Sequence, residues 1–207
     1  MRYLYSIIIV LAVVCIGVES YFCITGRLLP FYLDGAFARV VFYFSFFTVL
    51  STLALSFGCL IVMFKPNYQS NALAVLRIDG VVGVIITGIV YNFVLRGMHQ
   101  PNLLILRITT EFLHVVIPIL GVIGWVFFDP HPVLNKRAFI SSFIPPIIYL
   151  IYTFIRGAIT GLYPYPILDV NLVGYAQVLI NISSITICFI VFAFLLYWLD
   201  HQRLIKR

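Results

Sequence analysis

Six stretches of this chain stay apolar for about the 20 residues that a helix needs to cross a bilayer. They run from Leu4 to Phe22, Val40 to Phe64, Ile78 to Leu95, Leu103 to Phe128, Phe139 to Ile155 and Val173 to Leu199. The connections between them are short, and no Gly/Ser linker, charge block or low-complexity tract divides the chain. The pattern predicts an all-α polytopic membrane protein, with residues 1–207 forming one six-helix bundle. The opening MRYLYSIIIVLAVVCIGVES has the charged start and apolar centre of a signal peptide. Its apolar run nearly spans a bilayer and no A-x-A-like cleavage site follows, so a retained first helix is expected.

Prolines mark where these helices should deviate. Pro118 falls in the middle of the fourth and Pro145-Pro146 near the start of the fifth, so both should be bent or locally unwound. The longest connection, RGAITGLYPYPILDVNL (156–172), carries two prolines that disfavour helix in the residue before each. It reads as an ordered turn or re-entrant piece, with Gly157 and Gly161 as a small-xxx-small helix contact and its tyrosines as interface anchors. No two halves of the chain match, which argues against an inverted-repeat transporter.

Composition agrees with the pattern: 63% of residues are hydrophobic and 10% charged, and the mean hydropathy is +1.11. The net charge of +6 is read by position. Arg2, Lys65, Arg77, Lys136, Arg137, Arg203, Lys206 and Arg207 fall on one side of a six-span arrangement, and Arg27, Arg39, Arg96, Arg107 and Arg156 on the other. The richer side should be cytoplasmic, placing both termini there, and the charge is explained by topology with no nucleic-acid partner. Cys15, Cys23, Cys59 and Cys188 have no C-x-x-C spacing, so neither a disulfide framework nor a zinc site is expected. There is no H-E-x-x-H, Walker loop, G-x-S-x-G elbow or dinucleotide fingerprint. A two-histidine haem site is disfavoured because His99, His131 and His201 fall in predicted loops or tails.

Depth along the helices selects the candidate chemistry. At about 1.5 Å per residue, Thr48 lies about 13 Å past Arg39, His114 about 10 Å past Arg107, and Asn181 about 12 Å beyond Val173. Thr87, Tyr91, Asn92, Tyr149, Tyr152 and Thr153 join them in the same half, with Glu111 a turn nearer the surface. The other half is almost entirely apolar apart from Asp79, so the expectation is a polar outward-facing chamber above a dry floor. An ionisable group in hydrocarbon must be paired or face a cavity. Glu111 therefore either pairs with Arg107 or Arg156 or serves the chamber. A hydroxyl beside an imidazole is the minimum for nucleophilic acyl transfer. Thr48 is the candidate nucleophile, His114 the base, and Asn181, Tyr152 or Arg156 the oxyanion partner. Glu111 would orient the site and Asn92 join the substrate-binding set; no metal or organic cofactor is required. The competing roles are helix-to-helix hydrogen bonds, or a non-catalytic site that holds a lipid or small-molecule head group.

The segments YFSFFTVLS (43–51), ITGIVYNFVLRG (86–97), EFLHVVIPILGVIGWVFF (111–128) and IYTFIRGAITGLYPYPILDV (151–170) resemble the bacterial six-helix membrane family called Pr-six-Pr. That family is in turn distantly similar to the androgen-induced and androgen-dependent membrane threonine hydrolases, which cleave fatty acid esters of hydroxy fatty acids. Their F-x-T matches Phe46-Phe47-Thr48, their H-x-x-x-P matches His114 and Pro118, and their Y-P-F-L-E resembles Tyr165 to Asp169. The resemblance implies a multi-pass protein of the bacterial cytoplasmic membrane acting on a lipid ester, with Thr48 and His114 as its catalytic pair.

Overall fold

The computed structural model describes residues 1–28, 35–98, 102–129 and 134–205, and those residues contain helices and no strand. In order these are α1 (Arg2–Ile24), α2 (Ala36–Tyr43) and α3 (Phe47–Phe64). Next come α4 (Asn71–Leu95) and α5 (Leu104–Phe128). The last three are α6 (Lys136–Ser141), α7 (Ile144–Thr160) and α8 (Val170–Ile205). Six helical stretches are long and apolar enough to cross a membrane, with α6 and α7 together making the fifth. The chain is a multi-pass membrane protein, and its two ends share one face, called here the end face.

The expected breaks occur, and one more appears. Pro145 and Pro146 open α7, where an absent N–H costs nothing, and the chain turns at Ser142 and Phe143 just before them. Pro118 follows a wide π turn, Phe112–Val116. The unexpected break divides the predicted second span: α2 ends at Tyr43 and α3 starts afresh at Phe47, after an extended Phe46. Bulky aromatic residues conceal this break from a hydropathy reading. Gly174, at φ 78°, bends the start of α8.

The tightest packing joins α3 to α4. A Cβ added to Gly80 would lie 2.6 Å from the backbone of Leu55, and one added to Gly83 would lie 2.5 Å from Cβ of Ser51. Without a hydrophobic driving force between helices in lipid, such close backbone approach is what holds them. By contrast α7 and α8 carry long exposed apolar faces, including Ile148, Ile151 and Ile155 on α7 and Leu179, Ile187 and Phe194 on α8. These faces meet acyl chains.

The interior of the end-face half is not the dry floor that the sequence suggests. Arg77, counted above with the loop charges, is buried and ion-paired with Asp129, which also accepts a hydrogen bond from Tyr5. Asp200 accepts the Leu134 N–H nearby, at 2.8 Å. Pairing offsets the desolvation that an isolated charge would suffer there. Another buried carboxylate, Glu19, receives Tyr43 Oη at 3.0 Å and Thr109 Oγ1 at 2.9 Å, tying α1, α2 and α5 together. His201, placed in the tail by the sequence reading, is in α8, its Nδ1 2.9 Å from the Tyr197 carbonyl. His99, His131, Lys206 and Arg207 lie outside the described residues.

The seam makes a direct prediction. Gly80→Ala should lower stability by about 1–3 kcal/mol, the usual cost of overpacking, whereas Gly17→Ala, with nothing within 4 Å of the new methyl, should not. Thermal unfolding in detergent micelles checks both.

Candidate active site

Thr48 is reached through the break before α3. Ser45 Oγ donates to the Val41 carbonyl at 2.7 Å and lies 2.9 Å from Tyr152 Oη, which fixes the turn. A helix that starts at Phe47 leaves its first amides without a carbonyl one turn earlier. The Phe46 carbonyl serves Val49 and Leu50. The Thr48 N–H finds the hydroxyl of Tyr165, at 3.1 Å. Thr48 therefore stands in the first turn of α3 rather than a dozen ångströms along a continuous helix, and it is only 5% exposed.

His114 approaches from α5, inside the π turn. Pro118, four residues on, has no N–H for the His114 carbonyl, which instead accepts Asn92 Nδ2 from α4 at 3.3 Å. The imidazole Nδ1 is 2.9 Å from the Thr110 carbonyl. A carbonyl only accepts, so Nδ1 carries the proton and the neutral ring turns the Nε2 lone pair outward. Nε2 lies 3.2 Å from Thr48 Oγ1. Tyr91 stacks on the other side of the ring, with centroids 4.3 Å apart and planes at 27°. The tautomer, the ring plane and the hydroxyl partner are thus all set.

Tyr165 completes the cluster. It is extended, at φ −131° and ψ 137°, as a residue before proline should be. Its ring packs edge-on against Phe46, and its hydroxyl is 3.2 Å from Thr48 Oγ1. Burial raises its phenol above the usual tyrosine range, so it is a protonated donor at neutral pH. The connection that delivers it is wedged into α7: the Tyr163 ring sits where a Gly157 Cβ would be, 2.2 Å from Cε1. Gly161, at φ 72°, ends that helix in the left-handed conformation. The glycine pair expected to pack two helices instead seats a tyrosine and turns the chain.

These groups face a cavity of about 160 Å³ whose lining is overwhelmingly apolar. Thr48, His114, Tyr149 and Tyr165 line it, and Phe143, Ile147, Ile185 and Phe189 carry it between α7 and α8. Ile147 is also 53% exposed, so the cavity opens sideways toward lipid.

The remaining sequence candidates lie around this centre rather than in it. Glu111 pairs with Arg96, at 2.8 Å, rather than with Arg107 or Arg156. Arg96 also holds Asn92 Oδ1 at 2.8 Å and lies over the Tyr91 ring, and the Tyr91 hydroxyl is 3.5 Å from Glu111, so Glu111 makes no hydrogen bond to His114 itself. Asn92 binds the backbone behind His114. Asn181 Nδ2 donates to the Ile167 carbonyl at 2.8 Å, bolting the Tyr165 segment to α8. Arg156 lies over Phe42 and reaches the Leu162 carbonyl at 3.4 Å. Tyr152 supports the turn before Thr48. None of these five lines the cavity. The expected polar chamber is instead an apolar one with a single polar end. Tyr165 was passed over as an interface anchor; its place between two prolines, which force it out of helix, was the available signal.

No family model matches the chain, and neither does any curated protein or solved structure. Among the described residues no group of three His, Cys, Asp or Glu side chains could hold a metal ion.

The backbone support of His114 is testable. Asn92→Leu should cost about 1–3 kcal/mol by leaving a buried carbonyl without a donor. Adding Pro118→Ala, which restores an N–H to that carbonyl, should recover part of the loss in a double-mutant cycle of detergent unfolding temperatures.

Proposed function

We propose that this protein is an intramembrane lipid ester hydrolase with Thr48 as nucleophile and His114 as base. The observation that carries the reading is the 3.2 Å contact between Thr48 Oγ1 and a His114 Nε2 whose other nitrogen is held by the Thr110 carbonyl. The same carbonyl does the work that an orienting carboxylate does in a catalytic triad. Thr48 Oγ1 attacks the ester carbonyl carbon as its proton passes to Nε2. The imidazolium returns that proton to the departing alkoxide, leaving an acyl-threonine and a free alcohol. Water then attacks the acyl group, His114 takes its proton and passes it to Thr48 as the carboxylic acid leaves. The apolar cavity suits an acyl chain entering from the bilayer. A substrate resembling a fatty acid ester of a hydroxy fatty acid, and membership of the Pr-six-Pr family, follow from the sequence resemblance. The excess of Lys and Arg on one side of the sequence's six-span arrangement supports an orientation with that side cytoplasmic and the site facing outward, and the bacterial cytoplasmic membrane follows from the sequence resemblance.

A second reading is a lipid carrier or binder, favoured by the nearly complete absence of polar lining in the cavity. The two differ over one hydroxyl: hydrolysis requires Thr48, whereas binding should survive Thr48→Val.

Detergent-purified protein should be labelled by a lipophilic fluorophosphonate. Labelling should be lost in Thr48→Ala and fall by at least about 10²-fold in His114→Ala, the lower end of general-base contributions, with unfolding temperatures intact. Wild-type protein that stays unlabelled, while a fluorescent fatty acid saturates it and its Thr48→Val variant alike, would favour the carrier.

A further inference from the structure

The attack on an ester places negative charge on the carbonyl oxygen, and the groups expected from sequence to receive it, Asn181, Tyr152 and Arg156, all lie outside the cavity. What stands beside Thr48 is different. Tyr149, on α7, lines the cavity with its ring 5.0 Å from that of Phe47. Its hydroxyl is buried within electrostatic reach of the Phe47 amide and the Thr153 hydroxyl, with no hydrogen bond of ordinary length to either. A buried donor without a hydrogen bond of ordinary length is under-satisfied, which leaves it free to turn to an acceptor that enters the cavity. Tyr165 supplies a second hydroxyl, already touching both the amide and the Oγ1 of Thr48. The first-turn amides of α3 add partial positive charge at the same point.

We propose that the hydroxyls of Tyr149 and Tyr165, together with the N–H groups of Phe47 and Thr48, form the oxyanion pocket of the Thr48–His114 site. This inference rests on the hydrolase reading and names the missing half of its machinery. In the resting protein the Tyr165 hydroxyl occupies the Thr48 amide. As Oγ1 bonds to the carbonyl carbon, the electron pair of the C=O bond moves onto oxygen. Tyr149 and Tyr165 then donate hydrogen bonds to that oxygen, with no proton transferred to it, and the pair returns to carbon as the alkoxide leaves. The uncharged donors also explain how the cavity stays apolar: phenols bring their dipoles without the desolvation of an Arg or Lys. The ligand class that fits is an ester or another acyl compound whose carbonyl stands at the head of an apolar chain.

The decisive variant is Tyr149→Phe, because the hydroxyl it removes makes no hydrogen bond of ordinary length in the resting protein. Full-length protein in detergent micelles would be labelled with a lipophilic fluorophosphonate, whose phosphoryl oxygen takes the oxyanion position, and second-order rates compared. Tyr149→Phe should unfold at the wild-type temperature or higher, yet label about 10²- to 10³-fold more slowly, the range for loss of one oxyanion donor. Tyr165→Phe should slow labelling similarly, and for a chromogenic ester each variant should lower kcat with KM little changed. Labelling of both variants at the wild-type rate, with Thr48→Ala unlabelled, would overturn the oxyanion assignment and leave the hydrolase standing. No labelling of wild type would overturn both.

Discussion

A backbone N–H inside a bilayer must find an acceptor within the protein, because no water is present to take its place. The break at Phe44–Phe46 puts two such amides, those of Phe47 and Thr48, at the beginning of a membrane helix. The answer is a tyrosine delivered from more than a hundred residues away, held in an extended conformation by the proline after it. Once Tyr165 is docked on the Thr48 amide its hydroxyl must lie beside Oγ1, and the imidazole across the gap completes a three-way polar contact. The meeting of Thr48 Oγ1, His114 Nε2 and the Tyr165 hydroxyl is thus a consequence of satisfying one helix terminus.

Small-residue packing sets the distances. Gly80 and Gly83 bring α4 against α3, and α4 in turn sends Asn92 to the carbonyl that Pro118 strands behind His114. The π turn of α5, the proline and the asparagine form one unit whose effect is to present Nε2 toward Thr48. On the far side α7 stands away from this core while α8 packs Phe189, Ala193 and Leu196 against it, and the cavity lies between α7 and α8. Charge is kept out of it: Arg96 and Glu111 neutralise each other at the rim, while Arg77 and Asp129 do so near the end face.

The six spans were legible because hydropathy over about 20 residues is a strong signal. The pairing of Thr48 with His114 was legible through equal depth, even though the depth of Thr48 rested on a helix that is broken. The break itself was hidden, since YFSFF is as apolar as the helices on either side. Asn181, Tyr152, Arg156 and Glu111 were chosen because polar residues at membrane depth are costly. That argument shows only that each needs a partner, and here the partners are Ile167, Ser45, Phe42 and Arg96. Glu19 was not singled out and Tyr149 was placed in the polar half without a role, because only packing shows where each carboxylate or hydroxyl points.

The central claim is that Thr48 becomes covalently acylated. The most direct measurement is mass spectrometry of the purified protein quenched in acid during turnover of a long-chain activated ester, followed by peptide mapping. The account predicts an acyl adduct on Thr48 that accumulates within seconds, decays when substrate is exhausted and is missing from His114→Ala. Ester turnover with no adduct, or an adduct on another residue while Thr48→Ala retains full activity, would contradict it.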